Sequence, residues 1–308
     1  MRKKISIIGT GSVGSAAAQW IIARELADVA LLDVAEGVAQ GKALDLRQSL
    51  PIAKSNIRIT GTSNYADTAN SDIVMITAGL SAKPSISREE LLRTNFKIIS
   101  DVVGKVVEYS PESILIVVSS PLEAMAQAAY RLSGFNRERV LGTASALDTS
   151  RFCSFIAEEL NVSVEDVSSA VLGAHGDTML PLIRYTAVAG IPLTELLPRE
   201  RIDTLVQRIR QGRNEIVKHL KNDSACYAPS AAAVEIAEAI LKDKKKILCC
   251  TSYLEGEYGI NGYCLGVPCK LGAAGLEKII ELKLTEEEFA AFRKSAATVK
   301  KHCDMIGV

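Results

Sequence analysis

The first half of the chain alternates short apolar runs with segments of helical periodicity. The runs are Ile5–Ile8, Val29–Asp33, Ile57–Thr60, Ile73–Thr77, Ile114–Ser119 and Val140–Gly142. They are continuous rather than alternating, as in strands buried on both faces of a parallel sheet. Helix-length segments such as Ser12–Ala27 and Thr94–Tyr109 lie between them. This βαβ rhythm predicts a doubly wound α/β fold. The second half changes character. Its periodicity predicts helices over Ser150–Leu160, Arg201–Lys221, Ser230–Lys242 and Glu286–Cys303, with Gly212 as a weak point in the second. Strands are predicted over Val167–Leu172, Lys246–Thr251 and Tyr263–Val267. That mixture reads as an α+β domain. The boundary is expected near Thr143–Ala146, giving units of residues 1–144 and 145–308.

Composition narrows the function class. A chain of 308 residues is long enough for two packed domains. Lys+Arg and Asp+Glu number 36 each, so no basic excess points to nucleic acid. No stretch of 18 apolar residues suggests a membrane span, and Gly9, Gly11 and Gly14 interrupt the N-terminal apolar run too early for a signal peptide. The seven cysteines form no CxxC and have no histidine at zinc spacing. They read as reduced cytosolic thiols filling the core, with no metal site and a cytoplasmic location expected.

The first motif is Gly9-Thr10-Gly11-Ser12-Val13-Gly14, a GxGxxG that follows an apolar strand and opens a helix. In that context Gly9 makes the tight turn, Gly11 lets backbone approach a pyrophosphate, and Gly14 lets helix pack on strand. The second strand ends at Asp33, nineteen residues after Gly14, where a carboxylate accepts bonds from ribose hydroxyls and repels a 2′-phosphate. The combination predicts a Rossmann domain that binds NAD rather than NADP. A glycine-rich turn without a ligand is the bland alternative.

Of the three histidines, His219 and His302 read as solvated helix residues. His175 lies in Leu172-Gly173-Ala174-His175-Gly176-Asp177, directly after a strand, where functional side chains concentrate. Asp148 and Arg151 stand three apart at a predicted helix start and can share a face. An aspartate orients a neutral imidazole and stabilises the imidazolium. An arginine grips a carboxylate through two parallel hydrogen bonds. A satisfied loop histidine, a capping aspartate and a surface arginine explain the same residues without chemistry. The segment Gly79–Arg88 follows a strand and reads as a lid carrying cations, or as a solvated loop.

With these residues in view, the chain resembles the lactate/malate dehydrogenase family over nearly its whole length. It is most similar to the lactate-dehydrogenase-like malate dehydrogenases. The resemblance is carried by GTGSVG, ALDL, YADTANSDIV, ITAG, LDTSRF, LGAHGDTM, YAPSAAAVEIAEAILKDKK, YLEGEYGI and GVPCKLG, in that order. It implies a Rossmann domain followed by an α+β substrate domain, NAD as cofactor, and a small 2-oxo or 2-hydroxy acid as substrate. It implies that His175 donates and accepts the proton, that Asp148 is its partner, and that Arg151 binds the substrate carboxylate. It implies that Arg88, on the lid, polarises the carbonyl, and that Asn95, Val118, Ser119 and Ser120 complete the cofactor contacts begun by Gly9–Gly14 and Asp33. Family resemblance also implies a homo-oligomer, a tetramer or a dimer.

The chain departs from the family pattern at several positions. Malate enzymes carry an arginine where this chain has Ala82, and that arginine binds the second carboxylate of oxaloacetate. Losing one charge-assisted hydrogen bond costs about 1.5–3 kcal/mol, and burying a carboxylate without a partner costs more. This position alone therefore favours pyruvate and lactate as the leading pair, with oxaloacetate and malate, handled by an altered lid, as the alternative. Lys83 is adjacent and offers another cation. Ser120 stands where the family has asparagine, and its shorter side chain implies lowered or shifted activity. Ser85 replaces a usual glycine. Cys153 and Ser168 occupy positions where bisphosphate-activated lactate enzymes carry an arginine and a histidine, which implies no fructose-bisphosphate activation by that route. A third reading is a catalytically silent NAD-binding protein; the joint presence of His175, Asp148, Arg88 and Arg151 speaks against it.

Overall fold

The computed structural model describes residues 2–81, 86–221 and 224–308. The expectations placed on Ala82, Lys83 and Ser85 lie outside these described residues. The first half runs β1 (Lys4–Ile8), α1 (Ser12–Ala23), β2 (Asp28–Leu32), α2 (Val38–Ala53), β3 (Ile59–Thr62), β4 (Ile73–Ile76), α3 (Arg88–Tyr109), β5 (Ile114–Val117), α4 (Leu122–Ser133) and β6 (Val140–Gly142). The second half runs α5 (Ala144–Leu160), β7 (Val167–Ser168), β8 (Val171–Leu172), β9 (Leu180–Pro181), β10 (Ala187–Val188), β11 (Ile191–Pro192), α6 (Leu193–Leu196), α7 (Arg199–Leu220), α8 (Tyr227–Leu241), β12 (Lys246–Glu255), β13 (Asn261–Gly272), β14 (Gly275–Ile279) and α9 (Glu286–Ile306).

The strands β1 to β6 form a parallel sheet in the order β3-β2-β1-β4-β5-β6, the doubly wound arrangement the apolar runs predict. Its inner strands β1, β4 and β5 are almost wholly buried, which is why their sequences do not alternate. The sheet does not stop at β6. Strands β12, β13 and β14 of the second half extend it antiparallel to nine strands, joined where Thr251 pairs with Gly142. An unpaired β6 would expose a row of backbone donors and acceptors, and β12 covers that edge.

Several boundaries differ from the sequence reading for local reasons. Helix α3 begins at Arg88 rather than Thr94, because Ser87 caps it by accepting from the Glu90 N–H at 3.1 Å. Helix α5 begins at Ala144, so Asp148 and Arg151 sit inside it instead of at its start. The predicted strand Val167–Leu172 divides into β7 and β8, which pair with different partners. Helix α7 passes through Gly212 unbroken. The missing side chain there makes room for another residue, as described below. Five of the seven cysteines are buried in the core. Among the described residues no helix is long and apolar enough to cross a membrane.

Candidate active site

The glycine loop joins β1 to α1. Gly9 has φ +96°, and a β-carbon there would meet the Ala78 nitrogen at 2.6 Å. A β-carbon at Gly14 would run into the Gly9 carbonyl oxygen. A β-carbon at Gly11 would meet open space, so Gly11 is small for the sake of what enters from outside. No side chain caps the N-terminus of α1, which leaves its first amides and the positive end of its dipole facing the cleft. Asp33 follows β2 and accepts from the Thr10 N–H at 2.7 Å and the Thr10 hydroxyl at 2.8 Å. Its other oxygen accepts from the Ala35 N–H at 3.1 Å. Burial pushes the Asp33 carboxyl upward, but these donors prevail and hold it below the usual carboxylate range. The loop and helix end thus fit a dinucleotide phosphate, and Asp33 fits ribose hydroxyls.

The second constellation is built on α5. Asp148 is buried there, with Arg151 one turn further on. The loop after β8 brings His175 to the same place. Its Nδ1 lies 2.8 Å from Asp148 Oδ2 and 3.0 Å from Oδ1. Arg151 donates to Asp148 Oδ1 at 3.3 Å. A carboxylate only accepts, so Nδ1 carries a proton and Nε2 is the nitrogen left to exchange one. The Asp148 charge raises the His175 pKa above its ordinary value; burial and the Arg151 charge oppose this but do not overcome it.

Three other elements fix the histidine loop. Gly173 exchanges backbone hydrogen bonds with Gly266 of β13 at 2.9 and 3.1 Å. Ser295 of α9 accepts from the Ala174 N–H at 2.6 Å. Glu123 of α4 accepts from the His175 N–H at 3.0 Å, and burial raises its own pKa. Glu123 is absent from the sequence reading. Its only signal there is an acidic residue two positions after Pro121, which helix-dipole complementarity explains equally well.

A single cleft joins the two constellations. Its walls include Gly11–Gly14, Val118, Ser119, Ser120, Arg151 and His175. Other predicted site residues stand elsewhere. Gly9 and Thr10 lie beneath the loop and do not line the cleft; the Thr10 side chain is fully buried on Asp33. Asp33 joins the glycine loop through Thr10. Asn95, read as a cofactor contact, sits behind the cleft wall. Its amide is fully buried, accepting from the Leu80 N–H at 2.7 Å and donating to the carbonyls of Leu80 (3.0 Å) and Ser120 (2.6 Å). It ties the loop after β4 to the loop after β5. Arg88 is exposed at the start of α3 and is not brought to the cleft; it lies close enough to His302 that its charge, after burial, helps lower that pKa. Among the cleft residues unread in the sequence is a cation, Arg213 of α7. Its helical pattern looks like any amphipathic surface.

Comparison with known proteins gives a consistent picture. The family model for the lactate/malate dehydrogenase NAD binding domain matches residues 3–142, and that for the lactate/malate dehydrogenase alpha/beta C-terminal domain matches residues 145–306. A malate dehydrogenase of Roseiflexus castenholzii is 52% identical over 299 residues, covering 97% of each chain. The solved malate dehydrogenase of Salinibacter ruber is 47% identical with a TM-score of 0.95, covering 99% of this chain and 97% of its own. A lactate dehydrogenase of Cryptosporidium parvum, solved with lactic acid and nicotinamide adenine dinucleotide, is 39% identical with a TM-score of 0.97. That match covers 100% of this chain and 98% of its own.

Proposed function

Because the chain belongs to the lactate/malate dehydrogenase family, and so is an NAD-dependent 2-hydroxy-acid dehydrogenase, we propose that its substrate pair is malate and oxaloacetate. The observation that carries this reading is whole-length similarity, at about half identity, to proteins named malate dehydrogenase. Ala82 taken alone points to pyruvate. One side chain does not set the charge of a pocket, however, and specificity is the sum over every group facing the substrate.

In this reading His175 is the acid and base. The cofactor, when bound, would supply the hydride chemistry, as NADH for reduction and as NAD+ for oxidation; the protein handles the proton and the charge. In the reducing direction protonated Nε2 of His175 gives its proton to the substrate oxygen. Asp148 keeps Nδ1–H directed at itself and offsets the imidazolium charge. In the oxidising direction the neutral ring takes the proton back. Arg151 holds the substrate's C1 carboxylate as a two-pronged donor. The resemblance alone gives Arg88 the task of polarising the carbonyl. Gly11–Gly14 and the α1 amides would hold the cofactor's pyrophosphate and Asp33 its ribose, with Val118, Ser119 and Ser120 as further cofactor contacts. Residues 1–144 then carry the cofactor and 145–308 the acid.

Steady-state kinetics with NADH and oxaloacetate, pyruvate or 2-oxobutyrate test the reading. Oxaloacetate is expected to give the highest kcat/KM. A higher value for pyruvate would replace malate by lactate.

A further inference from the structure

One cation in the cleft has no task in the scheme above. Arg213 lines the cleft together with Arg151 and His175. It follows Gly212, and Gly212 is where α7 lies against the Arg151 side chain. A β-carbon at Gly212 would meet Arg151 Cδ at 2.5 Å and Nε at 3.0 Å. Two guanidinium-bearing side chains therefore reach the same end of the cleft, one from α5 and one from α7.

Their electrostatic situations differ. Arg151 is balanced by Asp148 at 3.3 Å. Among the described residues no carboxylate pairs with Arg213. Burial lowers its pKa, and the neighbouring Arg151 charge lowers it further. Among the described residues, Arg151 has a carboxylate in hydrogen-bond reach and Arg213 does not. A half-buried guanidinium beside a like charge, with no carboxylate partner among the described residues, becomes more favourable when a ligand brings an anion. Planar, two-pronged geometry suits a carboxylate.

We propose that Arg213 binds the second carboxylate of a four-carbon 2-oxo dicarboxylic acid while Arg151 holds the first. This rests on the malate reading and deepens it. A cation on α7 supplies the charge that Ala82 does not, so the pocket prefers a dicarboxylate without an arginine at position 82. A three-carbon acid with a methyl in place of that carboxylate leaves Arg213 unpaired.

The experiment compares wild type with Arg213→Ala, Arg213→Gln, Arg213→Lys and Lys83→Ala. It measures kcat/KM for oxaloacetate and for pyruvate, and NADH affinity by fluorescence. Arg213→Ala is expected to lower kcat/KM for oxaloacetate about 100-fold, the scale of removing one partner of a desolvated charge pair. Pyruvate turnover and NADH affinity should stay within about threefold, the scatter of ordinary surface substitutions. Arg213→Lys should recover part of the loss. Arg213→Gln gives the same answer if the alanine variant folds poorly. An unchanged oxaloacetate-to-pyruvate ratio overturns the proposal, as does weakened NADH binding or a selective loss in Lys83→Ala instead. The wild-type preference separates the two claims. If wild type favours oxaloacetate and the ratio survives Arg213→Ala, only the role of Arg213 fails. If wild type favours pyruvate, the malate reading fails, and the ratio in the variants still decides whether Arg213 meets the second carboxylate.

Discussion

Asp148 links the two chemically active groups, since its carboxylate meets both the His175 ring and the Arg151 guanidinium. Its charge is the main reason the His175 pKa is raised. In the proposed mechanism reduction needs the protonated ring, so kcat/KM for the 2-oxo acid should be level at low pH and fall as pH rises through that raised pKa. Oxidation of the 2-hydroxy acid, which in that mechanism needs the neutral ring, should rise through the same value. Asp148→Asn removes the anion, so the reductive limb should move to lower pH. Its kcat should drop on the order of 10²–10⁴-fold, the range of general acid–base catalysis. A pH–rate profile with an unmoved limb would remove Asp148 from this role.

Among the elements, α7 shows how a helix is shaped by what crosses it. Gly212 looks like a defect in helical periodicity, yet it gives Arg151 a path. Gly212→Ala gains helix propensity, worth about 1 kcal/mol at an exposed site. Its methyl also displaces the Arg151 side chain. The expected result is a melting temperature little changed or slightly raised, with KM for the 2-oxo acid up roughly tenfold, as for a misplaced positioning group. A similar trade holds for α9. Ser295→Ala leaves the buried Ala174 N–H without an acceptor, a loss of about 1–3 kcal/mol. A urea titration should show that loss, and lowered kcat should accompany it because the His175 loop loses one anchor.

Across the whole molecule, the contact between α1 and α8 ties the first half of the chain to the second. Arg24 of α1 reaches Glu235 at 3.0 Å and Glu238 at 2.6 Å on α8, and Lys242 and Lys244 also close on Glu238. Burial pushes the Glu238 carboxyl upward, but its hydrogen bonds to Lys244, Lys242 and Arg24 bring it down to about 2. Its folded pKa lies below its unfolded one. Its stabilisation is therefore present above the unfolded value and is lost as pH falls through the folded one. Glu238→Gln should lower stability near neutral pH by about 1 kcal/mol, a figure kept small because ion pairs near solvent are screened. The gap to wild type should close as pH falls from about 4.5, the unfolded glutamate range, toward 2. Melting curves across that window check the sign.

The sequence by itself determined the parallel sheet, the glycine loop, Asp33, and the triad His175, Asp148 and Arg151. Each rests on local grammar: unbroken apolar runs, fixed glycine spacing, or a distinctive motif. Tertiary structure alone decided that β12–β14 continue the first sheet, because strand pairing across more than a hundred residues leaves no local trace. It also showed Asn95 tying the loop after β4 to the loop after β5, since an amide's partners depend on which loops surround it. Glu123 and Arg213 stayed unread for the same reason. A charged residue on an amphipathic helix looks alike whether it meets water or a cleft, and only packing shows which.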